Sequence, residues 1–323
     1  MSADILAFSA EEDVYLKAYL EPLAPWLEAP DVTEILVNRP GELWVERAGQ
    51  PMAAISLPAI TDALMQRLAE QIARISHQGI NREQPLLSAV LNDGSRIQFV
   101  GPSATRGHWA LAVRRHRVVD VPLESYARIL AGRPGEGFET EHSQTPTDCL
   151  RAAVRARKTI LISGGTSTGK TTFLNTLLRE VPPEERVILV EDTPEVRLPG
   201  PNGLGLVAVK GEMGEARVST DDLLQAALRL RPDRIVLGEL RGREAVSFLR
   251  AINTGHPGSF TTIHANSPDG ALEQLALMVM QAGLGLSRTD TIAYANMVVD
   301  VIVQLDRVDG VRGISALKMI RKD

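Results

Sequence analysis

The run Gly164-Gly165-Thr166-Ser167-Thr168-Gly169-Lys170-Thr171 constrains this chain more than any other feature. It fits the pattern G-x-x-x-x-G-K-[ST], in which glycines let backbone N–H groups curl around phosphate oxygens. The pattern needs a strand before it and a helix after it, because the helix must point its positive end at the phosphates. An apolar segment, Thr159 to Ser163, precedes the run, and a helical segment, Thr171 to Glu180, follows it. In this geometry Lys170 reaches the β- and γ-phosphates and the Thr171 hydroxyl ligates Mg²⁺. The nucleotide-binding set is therefore Gly164, Gly165, Thr166, Ser167, Thr168, Gly169, Lys170, Thr171 and Thr172, with ATP and Mg²⁺ as the expected cofactors.

A phosphate loop alone binds nucleotide. Hydrolysis also needs carboxylates that place the metal and the attacking water. Glu239 follows the apolar Ile235-Val236-Leu237-Gly238, and Glu191-Asp192 follow Ile188-Leu189-Val190. A solvated strand-end carboxylate is the bland alternative for either one; two of them in a phosphate-loop domain favour a functional role. His264 ends the strand-like Ser259 to His264, where a packed core histidine is the competing reading. Arg231, Arg241 and Arg243 flank the Glu239 strand and are either surface charges or site residues.

Residues 148–323 alternate short apolar strands with helices. That pattern predicts a mostly parallel sheet covered on both faces, which binds ligands at the carboxyl ends of its strands. Ser219 with Asp222 signals a capping box, and Ser267-Pro268-Asp269 an N-cap, an N1 proline and a first-turn acid. Residues 1–117 predict a smaller mixed α+β domain. Val32 to Asn38 and Glu42 to Arg47 are strands around Arg39-Pro40-Gly41. Thr61 to His77 is an amphipathic helix with Leu64, Leu68, Ile72 and Ile75 on one stripe. Leu86 to Leu91 and Arg96 to Val100 flank the turn Asn92-Asp93-Gly94-Ser95, and Trp109 to Arg115 is a further strand. Period-2 geometry puts Arg96 opposite the Ile97/Phe99 face and Arg114 opposite the Trp109/Leu111/Val113 face, so both leave the core. The weakly patterned residues 118–147 between the domains predict a linker with one short helical segment.

Composition excludes several classes. Two domains suit 323 residues, with 44% hydrophobic and 23% charged side chains. Cys149 is the single cysteine, so there is no disulfide framework or cysteine zinc module, and a reducing compartment fits. A net charge of -5 and 4% aromatics argue against direct nucleic-acid binding, despite the basic run Arg114-Arg115-His116-Arg117. The acidic opening of the chain does not suit a signal peptide, and no apolar run approaches the roughly 20 residues that span a bilayer. Any membrane association is thus expected through a partner or a peripheral face.

Three further segments carry a family resemblance. Leu230-Arg231-Pro232-Asp233-Arg234-Ile235-Val236-Leu237-Gly238-Glu239-Leu240-Arg241-Gly242 resembles the Walker B region of the type II/type IV secretion ATPase superfamily. Asn253-Thr254-Gly255-His256-Pro257-Gly258-Ser259 through Thr262-Ile263-His264-Ala265-Asn266 resembles its histidine box, and Val190-Glu191-Asp192-Thr193-Pro194-Glu195 its aspartate box. The Arg-Pro-Asp-Arg-Ile and Gly-Glu-Leu-Arg-Gly wording looks most like the traffic ATPase of type IV secretion and conjugation systems.

The resemblance implies a RecA-like C-terminal domain, a homo-hexameric cytoplasmic ring, and work at the inner membrane beside the other components and ATPases of a secretion machine. It implies Glu239 as the Walker B acid, holding Mg²⁺ with Thr171, Glu191 as the aspartate-box acid, and His264 as the histidine-box residue. Arg96 and Arg114 match the N-terminal-domain arginines that close onto the nucleotide phosphates, and Arg231 is a candidate for a neighbouring subunit's nucleotide. The family's loop often has a third glycine and a serine where this chain has Ser167 and Thr168, and the linker looks longer than in compact members. A pilus extension or retraction motor, a type II secretion motor and a nucleotide-gated DNA-binding ring stay open as alternatives.

Overall fold

The structure, a computed structural model, describes residues 10–76, 78–91, 93–115, 120–127, 130, 145–198, 200–209, 218–308 and 310–320. The chain divides into two units, Met1–Arg117 with Lys210–Arg217, and Val118–Val209 with Val218–Asp323. The linker-like residues 120–127 and 130 belong to the second unit and include a 3-10 turn over Leu123–Tyr126. Residues 131–144 lie outside the described residues.

The first unit begins with α1 (Ala10–Leu20) and α2 (Ala24–Leu27), then β1 (Val32–Val37), β2 (Glu42–Arg47) and β3 (Ala53–Ser56). α3 (Asp62–Ile75) is followed by β4 (Leu86–Val90), β5 (Arg96–Val100) and β6 (Ala110–Arg114), in the antiparallel order β3-β2-β1-β6-β5-β4. Alternation decides its packing. Ile35, Val37, Ile97, Phe99, Leu111 and Val113 point to one face and are buried against Met65, Leu68, Ala69 and Ile72 of α3. A helix on a sheet buries a broad stripe, so Met65 and Ala69 join the predicted residues while Leu64 is only half-buried. Thr61 caps α3 by accepting the Leu64 N–H at 3.1 Å. The β4–β5 hairpin closes with Leu91 N–H on the Ser95 carbonyl at 2.8 Å, and Gly94 takes the left-handed φ of +81° that the turn requires.

The second unit holds α4 (Pro146–Arg155), β7 (Ile160–Gly164), α5 (Lys170–Leu178), β8 (Val187–Glu191), β9 (Gly203–Val207) and α6 (Thr220–Ala227). It continues with β10 (Arg234–Leu240), α7 (Glu244–Asn253), β11 (Phe260–Ile263), α8 (Pro268–Gln281), α9 (Arg288–Val298), β12 (Val301–Val308) and β13 (Val311–Met319). Its sheet has the order β13-β12-β7-β11-β10-β8-β9. All neighbours are parallel except β12 and β13. The edge strand β9 and the β12–β13 hairpin extend the sheet beyond the four strands read from the sequence. Successive strand residues feed opposite cores, as a doubly covered sheet demands. Ile160, Ile162, Leu189 and Val236 pack with Leu150 and Val154 of α4 and with Phe173 and Leu174 of α5. Leu161, Ile188, Ile235 and Leu237 pack instead with Leu224, Phe248, Leu275 and Val298 from α6 to α9. Among the described residues, no helix is long and apolar enough to cross a membrane.

One charge sits deep in this unit. Arg234 is fully buried where β10 begins. It ion-pairs with Glu185, donates to the carbonyls of Gly258 at 3.2 Å and Val154 at 2.9 Å, and stacks over the Phe260 ring. Gly258 has φ +80°, and a Cβ there would come within 2.6 Å of Arg234 Nη1. The glycine of the His256-Pro257-Gly258 segment is therefore explained by a buried arginine, with no need of a ligand.

Candidate active site

The glycine loop joins β7 to α5. A Cβ on Gly164 would lie 2.5 Å from Thr168 Oγ1 and 2.9 Å from the Leu305 carbonyl, so only glycine fits. Gly169 caps α5 at φ +93°. Ser167 also has a left-handed backbone, φ +61°. That conformation costs a non-glycine residue about 1–2 kcal/mol, and it is the position where the family resemblance points to a third glycine. The buried Lys170 ammonium donates to the carbonyls of Gly164 at 2.9 Å and Gly165 at 3.1 Å.

Parallel strands deliver their carboxyl ends in spatial order. The order β7, β11, β10, β8 therefore lines up the loop, His264, Glu239 and the Glu191-Asp192 pair. Lys170 Nζ lies 3.2 Å from His264 Nδ1, and His264 Nε2 lies 2.6 Å from Glu239 Oε1. The Arg241 guanidinium then bridges the carboxylates of Glu239 and Asp192. Burial lowers the His264 pKa and the Lys170 charge lowers it further, against the opposing pull of Glu239. A neutral ring fits both contacts: Nδ1 accepts from Lys170 and the Nε2–H donates to Glu239.

Glu191 has a different environment. It is only 5% exposed, and its Oε1 accepts the N–H groups of Glu195 and Val196, each at 2.9 Å. Burial pushes its carboxyl up to about 7; the two N–H bonds oppose this, and the nearby Glu195 and Asp192 add to it. Gly238 makes the approach possible, since a Cβ there would stand 3.2 Å from Glu191 Cγ. Glu195 reaches the phosphate loop directly: the Thr171 hydroxyl donates to its Oε2 at 3.3 Å. Glu195 stands within the aspartate box, but its spacing signals no role, because it lies in a loop four residues past the end of β8. Spacing leaves Arg241 between surface and site, and its ion pairs with Glu239 and Asp192 put it in the row.

Of the other arginines, Arg96, Arg114 and Arg115 belong to the first unit and Arg231 to the second. Arg96 and Arg114 are register partners on β5 and β6, on the face turned away from the buried Ile97, Phe99, Leu111 and Val113. Glu34 is the next partner of Arg114 across β1, with 3.8 Å between Oε1 and Nε. Arg115 turns back to donate to the Ala29 carbonyl, while His116 and Arg117 lie outside the described residues. Arg231 is exposed at φ +55° just before β10 begins, at the opposite end of that strand from Glu239.

A doubly covered parallel sheet with a phosphate loop between a central strand and its helix defines a RecA-like P-loop ATPase domain. Within that class, the chain belongs to the type II/IV secretion system protein family, whose model matches residues 17–309. It is 32% identical over 336 residues to the type IV secretion system protein VirB11 of Bartonella henselae, covering 96% of this chain and 94% of that one. It is 39% identical over 308 residues to the type IV secretion system protein PtlH of Bordetella pertussis, covering 90% and 89%. Its fold is similar to the ADP-bound pilus retraction motor PilT, with TM-score 0.64 at 21% identity over 94% of this chain and 83% of that one.

Proposed function

We propose that this chain is the Mg-ATP-hydrolysing motor of a type IV secretion system, powering pilus assembly and the transfer of protein or DNA–protein substrates. The observation that carries the reading is the continuous row Lys170, His264, Glu239, Arg241 and Asp192 beside the phosphate loop. Type IV secretion is favoured over the related pilus and type II motors by relatives at 32% and 39% identity along nearly the whole chain. The residues fit the cofactors: the loop and the α5 N-terminus suit phosphates. The Thr171 hydroxyl and Glu195 carboxylate, 3.3 Å apart, are the hard oxygen donors that Mg²⁺ takes.

In this reading Lys170 binds the β- and γ-phosphates, and Thr171 holds Mg²⁺ with Glu239, joined by Glu195. Bound Mg²⁺ neutralises charge on the transferring phosphoryl group. Glu191, poised at about 7, takes the proton of the attacking water, and Glu239 is held between His264 and Arg241. Arg96 and Arg114 add positive charge at the γ-phosphate, so that hydrolysis moves the first unit against the ATPase ring. Arg231 serves a neighbouring subunit. The working form is a homo-hexamer at the cytoplasmic face of the inner membrane, in contact with other components of the machine.

The test is ATP turnover with native mass. Lys170→Ala and Glu239→Gln should each lose at least about 10²-fold in turnover, with a six-membered ring retained in ATP. Wild-type turnover in either variant would remove the site from this assignment. A monomer with and without ATP would remove the motor.

A further inference from the structure

The β12–β13 hairpin carries two arginines that no step above uses. β12 runs beside β7 with Leu305 in register with Gly164. Arg307 therefore lies beyond the end of β7, on the side from which the phosphate loop emerges. Arg307 and Arg312 are register partners across the hairpin, and both are exposed. The preceding pair on the same face, Leu305 and Ile314, is buried in the core that includes Phe173 and Leu174 of α5. The guanidinium pair thus sits on the α5 face of the sheet, past the buried part of the hairpin.

A Cβ on Gly169 would lie 3.5 Å from Arg312 Cδ, so the Arg312 stem rests against the last glycine of the loop, one residue before Lys170. Like charges placed directly opposite in an antiparallel pair repel, and among the described residues no carboxylate forms an ion pair with either arginine. Asp306, next along β12, accepts instead from the Ser315 hydroxyl at 2.6 Å. The charge of Arg312 is felt by Tyr126, where it opposes the rise that burial imposes on the hydroxyl. An anion at this point relieves the repulsion, and guanidinium forks suit phosphate oxygens.

We propose that Arg312, supported by Arg307, is a second cationic contact to the bound nucleotide, on the α/β-phosphate side of the loop. The inference rests on the reading of Gly164–Thr171 as the phosphate loop. That loop's backbone cradles the α- and β-phosphates, whereas Lys170 faces β and γ. ATP and ADP should therefore depend on Arg312 alike.

Calorimetric titration of the full chain with Mg-ATP and Mg-ADP, paired with thermal melts, tests it. Arg312→Ala should weaken both nucleotides about tenfold or more, Arg312→Lys should recover part of the loss, and Arg307→Ala should lose less. The nucleotide-free melting temperature of Arg312→Ala should equal or exceed that of the wild type, while the ADP-induced shift shrinks. Wild-type affinities in Arg312→Ala, with binding lost in Lys170→Ala, would overturn the proposal and leave the loop assignment standing. A lowered nucleotide-free melting temperature with an unchanged ADP shift would also overturn it, by making Arg312 structural. Normal binding in Lys170→Ala would overturn the loop assignment first, and this contact with it.

Discussion

In the antiparallel sheet of the first unit, the core takes one face, so charged side chains can stand on the other. Glu34, Arg114 and Arg96 do so as neighbours across β1, β6 and β5. In the second unit both faces of the sheet are covered, and a charge has two places left. It can stand at a strand end, as Glu191, Glu239 and His264 do, or enter the interior with a full set of partners, as Arg234 does. Strain is divided in the same way. Among the described residues the non-glycine left-handed positions are Arg157, Ser167 and Arg231, all in the second unit. The difference separates charges that can be removed without harming the fold from charges on which the fold depends.

The sharpest separation comes from the outward face of the first unit. Arg96→Ala or Arg114→Ala should lower steady-state ATP turnover by about 10³-fold or more, the range for an arginine acting on a transferred phosphoryl group. Stability should scarcely change, since an exposed pair such as Arg114 with Glu34 contributes about 0–1 kcal/mol. Turnover within tenfold of the wild type would make this face an ordinary solvated surface. Arg234→Met should do the reverse. It leaves Glu185 with only the partly exposed Arg157, strips the Gly258 and Val154 carbonyls of their donor, and should cost about 3–5 kcal/mol in denaturant unfolding. A loss under about 1 kcal/mol would show that interior charge is as dispensable as face charge.

These contrasts also mark what the sequence made legible. Period-2 alternation is local, so the outward direction of Arg96 and Arg114 followed from five-residue strands. The phosphate loop and the strand-end positions of Glu191 and Glu239 were equally local. Strand order is not local: only the placement of β11 between β7 and β10 sets His264 between Lys170 and Glu239. Arg231 and Arg234 stand in one Arg-Pro-Asp-Arg run, and no spacing rule separates them. What buries Arg234 is Glu185, 49 residues away, and the bare backbone at Gly258. The strand β9, Gly-Leu-Gly-Leu-Val at a sheet edge, lacks the apolar run that marked its neighbours. The β12–β13 hairpin did carry an Asp309-Gly310 turn signal that could have been used.

At the strand ends of the second unit, the buried Glu191 carboxyl can be read out by pH. The Glu191 carboxyl is raised from 4.5 to about 7 by burial, so the native state holds this proton to higher pH than the unfolded chain does. Its contribution is fully present below about pH 4.5 and is lost as pH rises through about 7, by at most ~3 kcal/mol. Glu191→Gln keeps an oxygen for the Glu195 and Val196 N–H groups but cannot ionise. Relative to the wild type it should gain stability between pH 5 and pH 8, while its turnover falls. Parallel stability curves for the two proteins across that range would show that the carboxyl titrates normally.

The smallest effect concerns Ser167, a strained residue within the site itself. Its φ of +61° disfavours serine by about 1–2 kcal/mol. A glycine relieves that strain but loses more chain entropy on folding, about 0.5–1 kcal/mol. The two terms nearly cancel, so Ser167→Gly should change unfolding free energy by less than about 1 kcal/mol, in the stabilising direction. Ser167→Ala keeps a Cβ at the same φ and should show no gain. Ser167 is exposed and its hydroxyl is not needed for the left-handed turn, so nucleotide affinity should hold in both variants. If Ser167→Gly were instead destabilised by more than about 1 kcal/mol, the side chain would be supporting the loop, and strain in the second unit would belong to its architecture as firmly as the buried charge of Arg234.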